Sequence, residues 1–276
     1  MSLPQESSKL IHYKIMKHFT KIVALILFSF SGLALSQAPA IKNKILGLQN
    51  QFQALPKAER IEFVKFKMKA SQASSKQKFF SCMIAISDAR NIFKDDIELI
   101  WLEGICSAQI QDVDAAIGYY NEVLKINPHH LPSLMNLVEI NFFAGRHAET
   151  VKHIEFVNAL LDSKGNDHLP LLDFKYLIAI NKLAKLDPVK YNETRQQLMK
   201  RYSYMDDHPY HYYAHALQEF DLGNKQEGLI WILKAYLIFK NSELIEVWNK
   251  TLIETNYIGA HEIMFRLVER KNPLKQ

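Results

Sequence analysis

The sequence predicts an all-α protein, an α-solenoid of stacked helix-turn-helix hairpins, and three observations carry that reading. From about Lys42 onward, apolar residues recur at helical rather than alternating spacing. Pro128, Pro132, Pro170, Pro188 and Pro209 all fall between apolar runs, where proline opens a helix without removing a needed N–H. Only nine glycines and nine prolines occur in 276 residues, too few for a loop-rich β architecture of this length. A two-helix hairpin cannot bury its apolar face alone, so a succession of hairpins is expected to stack.

The first element is a targeting segment. Lys17 and Lys21 precede an apolar run of 14 residues, Ile22 to Leu35, and Ala34 and Ser36 place small residues just before Gln37. Residues 1–36 are therefore expected to be an extended secretory signal peptide whose true start is Met16. The alternative is a membrane anchor formed by residues 22–35, although a span needs about 20 apolar residues. Export to a periplasm or the extracellular space is the expected location. In such a compartment Cys82 and Cys106 can pair, whereas buried free cysteines act as small apolar residues. Both readings stay open. No Cys/His spacing suggestive of zinc is present.

Residues 37–62 form an N-terminal helical segment, and 63–276 form the repeat domain. "IEFVKFKMK" from Ile61 partly alternates, but Ile61, Val64 and Met68 share a helical face and predict a helix. Then come "IELIWLEGICSAQI" from Ile97, "VDAAIGYYNEVLKI" from Val113, "LPSLMNLVEINFFAG" from Leu131 and "HAETVKHIEFVNALL" from His147. At "Asp187-Pro188", the aspartate can cap and the proline can take the first helical position. "HEIMFRLVERKN", from His261, suits a terminal cap.

Residues 97–130 resemble a tetratricopeptide repeat, a 34-residue helix-turn-helix unit. Gly104, Ala116, Tyr120 and Pro128 match the first-helix glycine, the second-helix alanine, the following aromatic and the closing proline in one register. A second copy, 131–164, carries Leu134 and Leu137, with Val138 in place of glycine. A third, 209–242, carries Tyr212, Ala216 and Ala235. The turn glycines Gly145 and Gly223 are 78 residues apart, so 165–208 must be a longer, non-standard hairpin. Gly104 and Ala216 are expected to be small because helix backbones cross closely there.

The stretch "DDHPYHYYAHALQEF" from Asp206 offers His208, His211 and His215. His211 and His215 are spaced to share one helical face, yet H-E-x-x-H is absent. Pro209 is expected to open a repeat helix, with Asp206 or Asp207 near its positive end. His215 should pack in the hairpin. A secreted metal binder or enzyme built on these three histidines is the alternative function. No phosphate-binding glycine loop or nucleophile-elbow motif occurs, and neither catalytic residue nor cofactor is expected. "YNET" and "NKT" place glycosylation acceptors at Asn192 and Asn249.

The formal charge is +5, but the first 36 residues hold four lysines and one acid. The remainder balances 30 basic against 28 acidic residues, with no sustained basic block to serve as a nucleic-acid footprint. The repeat resemblance implies a non-catalytic scaffold that binds a protein or peptide in a concave groove, in envelope assembly or a secreted complex. By the same resemblance, Trp101, Ile105, Met135, Glu139, Phe142, Tyr210 and Tyr213 should face that groove. Membrane contact is expected only through an uncleaved signal segment.

Overall fold

The computed structural model describes residues 39–163, 165, 167–240, 242–259 and 261–262. The expected signal segment and most of the expected terminal cap lie outside the described residues. Twelve α-helices and no strand occur among the described residues: α1 (Pro39–Ala54), α2 (Lys57–Ser75), α3 (Phe79–Ile92), α4 (Ile97–Gln109), α5 (Val113–Ile126), α6 (Leu131–Phe143), α7 (His147–Asp162), α8 (Pro170–Ala184), α9 (Pro188–Lys200), α10 (Tyr210–Asp221), α11 (Lys225–Ile238) and α12 (Ser242–Glu254). The fold is all-α, built of consecutive helix-turn-helix pairs in the manner of an α-solenoid. The boundary expected at residue 62 falls inside α2, which runs unbroken from Lys57.

Helix starts follow local chemistry. Asp96 accepts from Leu99 N at 2.9 Å, Asp112 from Ala115 N at 3.1 Å and Asp187 from Lys190 N at 3.1 Å, each satisfying an orphan N–H. Pro188 occupies the first turn of α9. Asp206 does not cap α10; its carboxylate instead accepts from Ser203 N at 2.8 Å within the preceding loop.

Helix ends repeat one device. Gln77, Gln111, Gly145, Gly223 and Asn256 have φ of 58°, 69°, 69°, 83° and 60°, in the left-handed region. At each, the next residue donates its N–H five residues back: Lys78 to Ala73, Asp112 to Ser107, Arg146 to Asn141, Asn224 to Glu219 and Tyr257 to Leu252. This is the Schellman closure, which satisfies the last carbonyls of one helix and turns the chain. Gln77, Gln111 and Gly145 stand at successive 34-residue intervals, the unit length of the tetratricopeptide hairpin. The α8–α9 turn differs, since Leu186 and Asp187 both donate to Leu183 and no residue turns left-handed.

The chain divides into two compact units, 1–136 and 137–276, the boundary falling within α6. In the first unit α2 pairs with α3 and α4 with α5, while α3 also lies against α4. Its core is apolar and mostly small: Ala70, Cys82, Ala85, Ile86, Ala89, Leu99 and Cys106 surround Phe63. Phe52 and Phe93 pack on Phe63, with ring centroids 5.0 and 6.0 Å away. Arg90 of α3 ties Glu103 of α4 to Glu122 of α5, the latter at 2.7 Å.

The second unit is organised around α8, whose ten residues from Leu172 to Asn181 are all buried. A helix covered on every side belongs in a core, and α7, α9 and α10 surround it. Phe174 lies within an aromatic cluster, edge-on to Tyr213 at 5.9 Å and tilted against Trp248 at 5.2 Å. The α10–α11 hairpin completes the unit together with α12.

Candidate functional site

Most side chains expected to line a groove are interior. Phe142 is 1% exposed, and Tyr210 and Tyr213 are fully buried, so these three are corrected from groove to core. The Tyr210 hydroxyl donates to Leu198 O at 3.0 Å and that of Tyr213 to Asn249 Oδ1 at 2.6 Å, compensating their burial. Burial pushes both phenols well above the ordinary tyrosine range. Ile105, Met135 and Glu139 are also buried, whereas Trp101 is half-buried and edge-on to His130 at 6.3 Å. The expected assignment placed ligand-facing residues by repeat position and did not count the aromatic side chains that close over them. Asn249, offered above as a glycosylation acceptor, is likewise buried and also donates to Tyr236 Oη at 2.6 Å.

The residues placed at repeat-packing positions divide differently. Ala116, Tyr120, Leu134, Leu137, Tyr212, Ala216 and Ala235 are buried, and Pro128 is exposed in the turn after α5. Gly104 faces the Tyr120 ring: a Cβ there would lie 2.5 Å from Tyr120 Cε1. A ring, not a backbone crossing, requires the glycine. Gly228 on α11 meets the Phe220 ring of α10 in the same way, the glycine and the aromatic having exchanged helices.

The three histidines separate. His208 stands edge-on to Tyr202 at 4.7 Å, while His211 and His215 are 4.5 Å apart and His215 stacks on Trp231 at 4.6 Å. Lys234 Nζ lies 3.7 Å from the centre of the same Trp231 ring. Burial holds all three imidazoles below their ordinary pKa, so each is neutral at pH 7. Among the described residues no three His, Cys, Asp or Glu side chains gather where they could hold a metal ion.

Sequence reasoning missed the buried charges of the second unit. Asp173 is fully buried and accepts from Arg201 Nη1 at 2.9 Å, Tyr202 Oη at 2.8 Å and Asn158 Nδ2 at 3.4 Å. Lys175, 3% exposed, pairs with Glu139 and lies 5.4 Å from the centre of the Phe143 ring. Nearby, the Glu254 side chain is 4% exposed, with Lys250 Nζ at 3.4 Å. Burial, reinforced by the Glu139 charge and opposed by Lys250 and Lys175, pushes the Glu254 carboxyl up to about 7. The signal was present as Asp173 and Lys175 inside the otherwise apolar "LLDFKYLIAI".

Each unit has a cleft open to solvent among its described residues. That of the second unit, about 490 Å³, is polar and lined by Asp167, His168, Arg201, Tyr202, Asp206 and His208. That of the first unit, about 230 Å³, has a floor of Ile45, Leu48, Phe52, Phe93 and Ile97. Its rim carries Asp95, Asp96, Glu98 and Lys67; Lys67 pairs with Asp96 at 2.9 Å and Glu98 at 2.6 Å. The floor residues are half-buried, so apolar surface stays available for a ligand to cover.

These features define a helical-hairpin protein whose turns keep a 34-residue period over its first three hairpins. Among solved structures, the chain is similar to a tetratricopeptide repeat protein from Parabacteroides merdae ATCC 43184, at TM-score 0.42 and 14% identity, covering 90% of this chain and 100% of that one. No family model and no curated protein matches the sequence. The repeat reading stands on this chain's own turns and hairpins.

Proposed function

We propose that the protein is an exported, non-catalytic scaffold that binds a protein or peptide partner, in assembly of a cell envelope or of a secreted complex. The apolar cleft of the first unit carries this reading. Ile45, Leu48, Phe52, Phe93 and Ile97 form a half-buried floor for an apolar anchor, and Asp95, Asp96 and Glu98 favour a basic neighbour on the same peptide. The hairpin architecture supports it as well, since stacked repeats present extended surfaces suited to other chains. Lys17, Lys21, the apolar run to Leu35 and the small residues Ala34 and Ser36 support export with cleavage before Gln37. No helix among the described residues is long and apolar enough to cross a membrane.

Capture from envelope extracts with residues 37–276 as bait tests the binding reading. Leu48→Glu should abolish recovery of the partner while Ile61→Glu, an exposed apolar control on α2, leaves it intact. Equal recovery with both variants would exclude the cleft. Intact mass of the exported protein tests cleavage: a chain beginning at Gln37 is expected, and retention of residues 16–36 in washed membranes would contradict it.

A further inference from the structure

The core of the first unit holds two cysteines at a separation unusual for free thiols. Cys82 of α3 and Cys106 of α4 are both fully buried, and their sulfurs lie 2.6 Å apart. Non-bonded atoms of comparable size pack about 3.5–4.0 Å apart, whereas a disulfide bond is about 2.05 Å long. The surroundings explain the approach. Ala70, Ala73, Ala85 and Ala89 keep neighbouring positions small, so the helices come close enough to press the sulfurs together. Cys106 donates to Cys82; this hydrogen bond, together with burial, raises the Cys106 thiol, and against burial it lowers that of Cys82.

We propose that Cys82 and Cys106 form an intramolecular disulfide that staples the α2–α3 hairpin to the α4–α5 hairpin. The bond joins residues 24 apart and bridges consecutive repeats, not the two helices of one hairpin. Its position gives it a mechanical role. A hairpin in a solenoid is held by its neighbours, so a hairpin near a terminus frays most readily. Both α2 and α3 meet α4, and a covalent tie at that junction limits their separation.

Because both sulfurs are buried in the folded chain, bond formation precedes closure of α3 on α4. With oxidised glutathione as the oxidant, the Cys82 thiolate attacks one glutathione sulfur and expels one glutathione thiolate. Cys106, having lost its proton to solvent, then attacks the Cys82 sulfur and expels the second. Two protein thiols are oxidised and one glutathione disulfide is reduced to two thiols.

The test is to refold the full chain in a mixture of oxidised and reduced glutathione, denature it without reductant and treat it with an alkylating reagent. Neither cysteine should be alkylated, the intact mass should be two hydrogens below that of the reduced chain, and both should be labelled after reduction. Two labelled cysteines before reduction, a glutathione adduct on either, or a disulfide-linked dimer would overturn the proposal. Hydrogen exchange gives the mechanical readout. Reduction should speed exchange in residues 57–92 at least several-fold while leaving 170–184 unchanged. The variant Cys82→Ala with Cys106→Ala should match reduced wild type and no longer respond to reductant. Equal exchange in oxidised and reduced wild type would reject the staple.

Discussion

The two units reach a buried interior by different routes. The first fills its closest approaches with alanine, glycine and cysteine around a few large rings, and its charges sit at the margins, as with Arg90 between Glu103 and Glu122. The second carries Asp173, Lys175 and Glu139 into its core and places Glu254 against them. Small residues around rings fill one core, whereas the other adds buried ion pairs to an aromatic interior. Removing a group from a packed apolar contact loses transfer energy, whereas removing one partner of a buried ion pair strands the other charge. The same kind of substitution should therefore be felt differently in the two units.

The largest effect is expected at Asp173. Asp173→Ala leaves the Arg201 guanidinium, the Tyr202 hydroxyl and Asn158 without their shared acceptor, and breaking a buried pair in this way costs about 3–5 kcal/mol. Denaturant unfolding should show it, and a loss under 1 kcal/mol would mean that solvent replaces the carboxylate. Gly104→Leu comes next and strikes the first unit. Its side chain would enter the space of the Tyr120 ring, and overpacking of this kind costs about 1–3 kcal/mol or more. Tyr120→Leu in the same chain should recover much of the loss, because the ring is the obstacle. No recovery would restore a backbone crossing as the reason for the glycine.

Much of this architecture was legible and some was not, for physical reasons. Helical periodicity and boundary prolines revealed hairpins because both act locally. Gly145 and Gly223 disclosed two turns, but the matching turns at Gln77 and Gln111 were hidden. Glutamine carries no sign of a left-handed backbone, and only the hydrogen bonds Lys78 to Ala73 and Asp112 to Ser107 reveal it. The candidate site was harder to see. Repeat position says which helix bears Tyr210 and Tyr213, but whether their rings close inward depends on Phe174 and Trp248, which come from other helices. The floor of the first-unit cleft joins α1 to the α3–α4 junction, residues separated by roughly 50 positions that no local pattern connects.

Titration sets Glu254 apart from the buried histidines. Glu254 has a folded pKa of about 7 against an ordinary 4.5, so the folded state binds the extra proton between those values. Its contribution falls as pH rises through that window, by at most about 3 kcal/mol. His130 in the first unit has the opposite sign. Burial lowers it to about 4 from 6.5, so stability is present above pH 6.5 and is lost as pH falls toward 4, by about 2 kcal/mol after allowance for its partial exposure. His130→Gln should flatten the acid limb of a stability profile; an unchanged limb would place that sensitivity elsewhere, with His147, the histidines at 208, 211 and 215, and Glu262 among the other lowered groups.

The smallest effect tests the repeat turn itself. Gln77→Gly and Gln111→Gly relieve a left-handed strain that costs a non-glycine residue about 1 kcal/mol, so each should stabilise by a few tenths to 1 kcal/mol, measured by thermal unfolding. Gly145→Gln should lose a similar amount. If all three changes destabilise, the turns are not equivalent.

The central claim is that the buried charges around Glu254 govern the second unit and leave the first unaffected. It is tested most directly by hydrogen exchange of wild type and Glu254→Gln at pH 5 and pH 8, each corrected for intrinsic rate. The substitution should slow exchange in α8 and α12 at pH 8, where the wild-type carboxylate is charged, and should have little effect at pH 5. Residues 57–126 should exchange alike in both proteins at either pH. An equal effect at the two pH values, or one that reaches α2 to α5 as strongly as α8, would contradict the account.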